Sequence, residues 1–250
     1  MPSPDRSRDL ATQQGTLPRQ KSAPCRLIVV GGHTRSIGKT QLVCDLIAAL
    51  GEANWIAGKI TQYGHGVCAT NGHDCDCAPT EHILALDWEA DPATGTDSAR
   101  FLQAGAARSF WLRTKQGYLA EGMPVLREAL RAVASESSPG LDQNDSGGSN
   151  LIIESNSLLQ FVKPSLYVTV LDAAREDFKD TARMALDRAD VLVFRRGLDD
   201  GDLTRPPWLA LPAQLLRTKP SFLQREGEPL PEPLFQLVKR ILENTPTVSL

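Results

Sequence analysis

Cys25-Arg-Leu-Ile-Val-Val-Gly-Gly-His-Thr-Arg-Ser-Ile-Gly-Lys-Thr-Gln-Leu-Val-Cys-Asp-Leu-Ile-Ala-Ala-Leu50 reads as an apolar strand, then a loop ending Gly38-Lys39-Thr40, then an amphipathic helix. A strand that enters a helix through Gly-Lys-Thr is the signature of a phosphate-binding loop. The backbone amides and the helix N-terminus would cradle a polyphosphate. Lys39 would neutralise β- and γ-oxygens, and the Thr40 hydroxyl would hold Mg²⁺. Arg35, Ser36, Ile37, Gly38 and Gln41 complete the candidate nucleotide-binding set. The usual pattern places its first glycine five residues before Gly38, where this chain has His33, with Gly31 and Gly32 just upstream. A plain surface turn would use the same punctuation, but Gly-Lys-Thr at this junction seldom arises without a ligand.

The chain has 250 residues and a formal net charge of -3, enough for one α/β domain with a full core. Mild acidity leaves no electrostatic footprint for nucleic acid. No apolar run reaches membrane-spanning length, and the first residues lack the apolar core of a signal peptide, so a cytoplasmic protein is expected. Residues 1–24, rich in Pro, Ser, Gln and charge, read as a disordered tail. Residues 25–250 read as a single domain, interrupted by an insertion at 62–96 and a flexible linker at 135–149.

Hydrophobic periodicity predicts strands at 55–61, 108–114, 150–155, 166–171 and 190–194, and helices at 97–104, 118–134, 176–188 and 232–244. The Pro-rich stretch 204–233 reads as irregular. Strands that are apolar throughout and alternate with helices imply a mostly parallel sheet covered on both faces, a three-layer α/β sandwich. Such proteins place a second carboxylate at the end of a neighbouring strand to order Mg²⁺. Glu154 is the candidate and Asp172 a weaker one, although an acid at a strand end is also a common solvent cap. Lys59 would add a second positive charge beside the phosphates.

Three segments resemble the molybdopterin-guanine dinucleotide biosynthesis protein B family in content and order. They are Gly58-Lys-Ile-Thr-Gln-Tyr-Gly-His65, the Asp97-Ser98 pair followed by Ala104-Gly105-Ala106, and Leu151-Ile-Ile-Glu154. The likeness spans about residues 26–195. It implies a P-loop NTPase fold of the signal-recognition/MinD-like class, GTP binding, a homodimer, and a part in molybdenum-cofactor maturation beside a partner protein. Carried over by position, Lys39, Thr40, Lys59, Asp97 and Glu154 would surround nucleotide and metal, with Lys39, Asp97 and Glu154 in catalytic roles. Where the family continues from its acid into glycine, this chain has Ser155-Asn156-Ser157. No Asn-Lys-x-Asp is present to select guanine, and Arg195-Arg-Gly-Leu-Asp199 is a loose stand-in, so GTP and ATP both remain candidates.

The segment from His65 to His82 holds Cys68, Cys75 and Cys77 with His65, His73 and His82, three of the five cysteines and three of the four histidines. In a reducing compartment disulfides are disfavoured, and thiolate with imidazole suits Zn²⁺ or an iron–sulfur cluster. A redox-sensitive thiol loop or polar decoration would account for the same composition. Cys25 and Cys44 read as small core residues. Because the loop follows the second strand, nucleotide state could open or close its metal site.

Three functions follow. The first is a Mg²⁺-dependent NTPase with slow hydrolysis, serving metal-cofactor assembly. The second is a small-molecule kinase or ligase on the same loop, with the 62–96 segment as acceptor site. The third is a non-catalytic metal-binding switch or metallochaperone.

Overall fold

The computed structural model describes residues 26–64, 67–69, 73, 82–136, 149–196 and 217–244. The expected tail at 1–24, most of the Cys/His segment and residues 137–148 of the expected linker lie outside them.

Eight strands form one sheet: β1 (Leu27–Gly32), β2 (Trp55–Tyr63), β3 (Leu84–Trp88), β4 (Arg108–Lys115), β5 (Asn150–Glu154), β6 (Leu166–Leu171), β7 (Val191–Phe194) and β8 (Ser221–Leu223). Their spatial order is β3-β4-β2-β5-β1-β6-β7-β8, and every pairing is parallel except β3 with β4. The helices are α1 (Lys39–Ala49), α2 (Asp97–Gln103), α3 (Leu119–Glu136), α4 (Asp180–Ala185) and α5 (Glu232–Asn244).

Successive strand residues face opposite sides of a sheet, and the two cores obey this alternation. Leu27, Val29, Leu151 and Ile153 pack with Leu119, Met123 and Leu126 of α3. Ile28, Val30 and Ile152 pack on the other face with Leu42, Val43, Leu46 and Ile47 of α1, Phe101 of α2, and Leu234 and Val238 of α5. The result is the three-layer α/β sandwich that the apolar strands predict. No helix among the described residues is long and apolar enough to cross a membrane.

Four expectations change. Within the expected polar insertion, Leu84–Trp88 is a strand paired antiparallel to β4. Its alternation of Leu84, Leu86 and Trp88 with Ala85 and Asp87 is a period-two pattern that the surrounding cysteines and histidines obscured. The helix expected at 176–188 is confined to Asp180–Ala185 plus a 3₁₀ turn at Leu186–Arg188, because the Lys179 amide donates to the His33 carbonyl at 2.9 Å instead of starting a turn. Residues 221–223, expected to be irregular, extend the sheet beside β7, where an edge position tolerates the preceding Pro220. Residues 135 and 136, expected to open the linker, are the last two of α3.

Candidate functional site

Between β1 and α1 the chain turns through two residues with positive φ, Ser36 at 52° and Gly38 at 82°. Gly38 suits its left-handed backbone because it has no Cβ, and space demands glycine as well. A Cβ there would lie 2.7 Å from Arg195 Nε. The Gly38 carbonyl accepts the Leu42 amide at 3.0 Å and also a hydrogen bond from Arg195 Nη2. Arg195, expected as a loose guanine-selecting element, is thus committed to the phosphate loop.

Topology brings the candidate residues together. β1 sits between β5 and β6, so its loop opens at the carboxyl ends of the strands where the chain reverses direction across the sheet, the usual ligand crevice of such folds. Lys59 and Glu154 are register partners on β2 and β5, and their strands' alternation directs both toward the α1 face. Lys59 Nζ is 3.3 Å from Glu154 Oε1 and forms an ion pair with Asp97, the first residue of α2. Thr40 Oγ1 donates to Glu154 Oε2 at 2.7 Å. Thr40, Glu154 and Asp97 are therefore hard oxygen donors gathered around one cationic group, the donor chemistry that suits Mg²⁺.

The two lysines differ electrostatically. Lys39 Nζ donates to the Thr34 carbonyl at 2.5 Å, and burial lowers its pKa to about 8 despite the nearby Glu154 charge. Burial acts in the same direction on Lys59, but the Glu154 charge and the Asp97 hydrogen bond outweigh it and hold its pKa above the ordinary lysine value. Burial likewise opposes ionisation of Asp97, yet the Lys59 hydrogen bond wins and lowers its pKa.

The remaining candidates have distinct surroundings. The Ile37 side chain is rooted in the α1-side core, leaving its backbone for a ligand. Gln41, which lines the cleft, donates to Asp45 at 2.8 Å and accepts from Arg100 at 2.7 Å. Arg35 is exposed on the cleft rim. Asp172, just past the end of β6, accepts the Ala174 amide at 2.9 Å and lies 3.6 Å from Arg196. His33 is fully buried, its ring 5.3 Å from that of Phe178, and burial lowers its pKa. Cys44 is a buried α1 residue whose thiol is pushed up to about 11 by burial. Cys25 lies outside the described residues.

Of the metal candidates, His65, Cys75 and Cys77 lie outside the described residues, whereas Cys68 Sγ is 3.4 Å from His82 Nδ1. His73 accepts the Cys68 amide through its carbonyl.

Sequence reasoning missed Asn156. Its Oδ1 accepts the Gly32 amide at 2.9 Å and its Nδ2 donates to the Gly32 carbonyl at 2.8 Å, so one side chain satisfies both backbone groups at the mouth of the loop. The departure from glycine after Glu154 was the available signal. Asn156→Ala leaves both Gly32 groups uncompensated and should cost about 1–3 kcal/mol of unfolding free energy, read from urea denaturation. A loss below about 0.5 kcal/mol, the level of an ordinary surface change, would show that water replaces the amide.

Phosphate loop, both lysines, Asp97 and Glu154 line one open cleft of about 1720 Å³, which extends along Thr61, Gln62 and Tyr63 in one direction and to Asp172, Arg196 and Arg225 in the other. A glycine–lysine–threonine loop between β1 and α1, beside a strand ending in an acid, on a mostly parallel covered sheet, is the P-loop NTPase fold. No protein-family model and no curated protein matches the chain. Among solved structures it is similar to HypB from Helicobacter pylori in complex with nickel, at 13% identity, a TM-score of 0.42 and 88% coverage of each chain.

Proposed function

We propose that this chain binds a Mg²⁺–nucleoside triphosphate, with GTP preferred, and hydrolyses it slowly through a positioned water. In this reading it is a divergent relative of the molybdopterin-guanine dinucleotide biosynthesis protein B family that serves metal-cofactor assembly beside a partner protein. The observation that carries the nucleotide part is the convergence of Lys39, Thr40, Lys59, Asp97 and Glu154 at the carboxyl ends of β1, β2 and β5. A helix N-terminus with no acid in its first turn favours bound anion through its amides and dipole. Lys39 would neutralise phosphate charge, Thr40 with Glu154 and Asp97 would hold the metal, and Lys59 would balance charge developing at the transferred phosphoryl group. Mg²⁺ would supply Lewis acidity. The guanine preference, the cofactor-assembly role and the homodimer rest on the sequence resemblance.

Titration of the full chain with fluorescent GTP and ATP analogues, with and without Mg²⁺, tests this. Mg²⁺-dependent binding that is tighter for GTP is expected. Equal affinity for both nucleotides removes the guanine preference, and binding of neither removes the reading.

One observation favours a second reading, a small-molecule kinase or ligase. Past Lys59 the cleft continues along Thr61, Gln62, Tyr63 and Gln116, a neutral polar wall suited to an uncharged acceptor. Phosphoryl transfer to a metabolite instead of water would establish it.

A further inference from the structure

Cys68 and His82 stand near the two ends of the excursion that leaves β2 and returns as β3, and the fold holds each in place. Cys68 is 5% exposed, and its amide donates to the His73 carbonyl at 2.8 Å. On the returning side, the Ile83 carbonyl accepts the Lys115 amide at 2.8 Å, fastening the chain to the end of β4. Between them His82 has a left-handed backbone, φ 46°, a conformation in which histidine is enriched among residues other than glycine.

The Cys68 Sγ to His82 Nδ1 distance is 3.4 Å. In a tetrahedral zinc site, with Zn–S of about 2.3 Å and Zn–N of about 2.0–2.1 Å, the sulfur–nitrogen edge is about 3.5 Å. The two atoms are thus already spaced as adjacent corners of such a site. We propose that Cys68 and His82 are two ligands of a Zn²⁺ ion. A thiolate and an imidazole select a borderline-soft metal over Mg²⁺ or Ca²⁺. Among the described residues no cluster of three or more His, Cys, Asp or Glu forms a metal site. Val67, next to Cys68, lines the same cleft as Lys39 and Lys59, so the ion would brace the wall of the phosphate site. The assignment does not depend on which nucleotide binds there, or on whether any does.

A thiol–imidazole hydrogen bond would give a similar separation, and metal analysis tells the two apart. The full chain is purified without chelator and its zinc per chain measured by mass spectrometry, then the zinc-stripped protein is titrated with Co²⁺. Near-stoichiometric zinc is expected, with a thiolate-to-cobalt charge-transfer band and the visible bands of tetrahedral Co²⁺. Cys68→Ser should lose the zinc and the charge-transfer band. His82→Asn, which keeps a side chain tolerant of the left-handed backbone, should lose the zinc while retaining the wild-type circular dichroism spectrum. Absence of zinc and of the cobalt band from the wild-type chain overturns the proposal. Full metal content in both variants overturns it as well.

Discussion

Lys39→Ala should abolish nucleotide binding over any practical concentration range. A lysine ammonium shared between two phosphate oxygens makes two charge-assisted hydrogen bonds of about 1.5–3 kcal/mol each, so its loss should weaken affinity by about 3–5 kcal/mol, a few hundredfold or more. The fold should survive. Lys39 meets the rest of the protein mainly through one bond to the Thr34 carbonyl at 2.5 Å, and burial already disfavours its charge. Titration with a fluorescent triphosphate, paired with a thermal melt, reads both effects. An affinity within about threefold of wild type, under about 1 kcal/mol, would mean that phosphate does not sit on this loop.

The second large effect is on pH dependence. Desolvation leaves Lys39 with a pKa of about 8 against the 10.5 of an ordinary lysine, so near neutrality it is charged and above pH 8 it progressively loses its proton. Phosphate stabilises the ammonium, so binding raises that pKa and takes up a proton. Affinity should hold below pH 8 and then fall about tenfold per pH unit until the pKa of the bound form is reached. Stability without nucleotide carries the opposite sign. The folded state binds this proton less tightly than the unfolded chain, so the penalty is fully present below pH 8 and is relieved as pH rises from 8 toward 10.5. Calorimetry at pH 8.5 in two buffers of different ionisation enthalpy would detect the proton uptake. Buffer-independent heats together with a flat affinity profile from pH 7 to 10 would refute the assignment.

Much of this site could be read from the chain because its carriers stand where periodicity changes. Lys39 and Thr40 mark a strand giving way to a helix, and Glu154 ends an uninterrupted apolar run. What could not be read depends on strand order. That Lys59 and Glu154 are neighbours follows from β5 inserting between β2 and β1, and no local pattern encodes that insertion. Arg195 was legible as a basic residue after a strand, but its bond to the Gly38 carbonyl arises from β7 lying two strands from β1. Asn156 announced itself only as a departure from glycine. β3 was hidden because five residues of alternation weigh little beside a dense group of cysteines and histidines.

The order of the strands also has a temporal consequence. β1 and β2 are consecutive in the chain yet never pair. β1 touches only β5 and β6, and β2 only β4 and β5. During synthesis, β2, β3 and β4 can form a small ribbon as soon as residue 115 emerges, whereas β1, with the phosphate loop attached, must wait for residues 150–154 before it has any neighbour in the sheet. Until then its backbone donors stay exposed, the condition that recruits chaperones to slow-pairing parallel sheets. A nascent chain stalled before residue 150 should therefore be protease-sensitive at the phosphate loop, and one extended past β6 should be protected there.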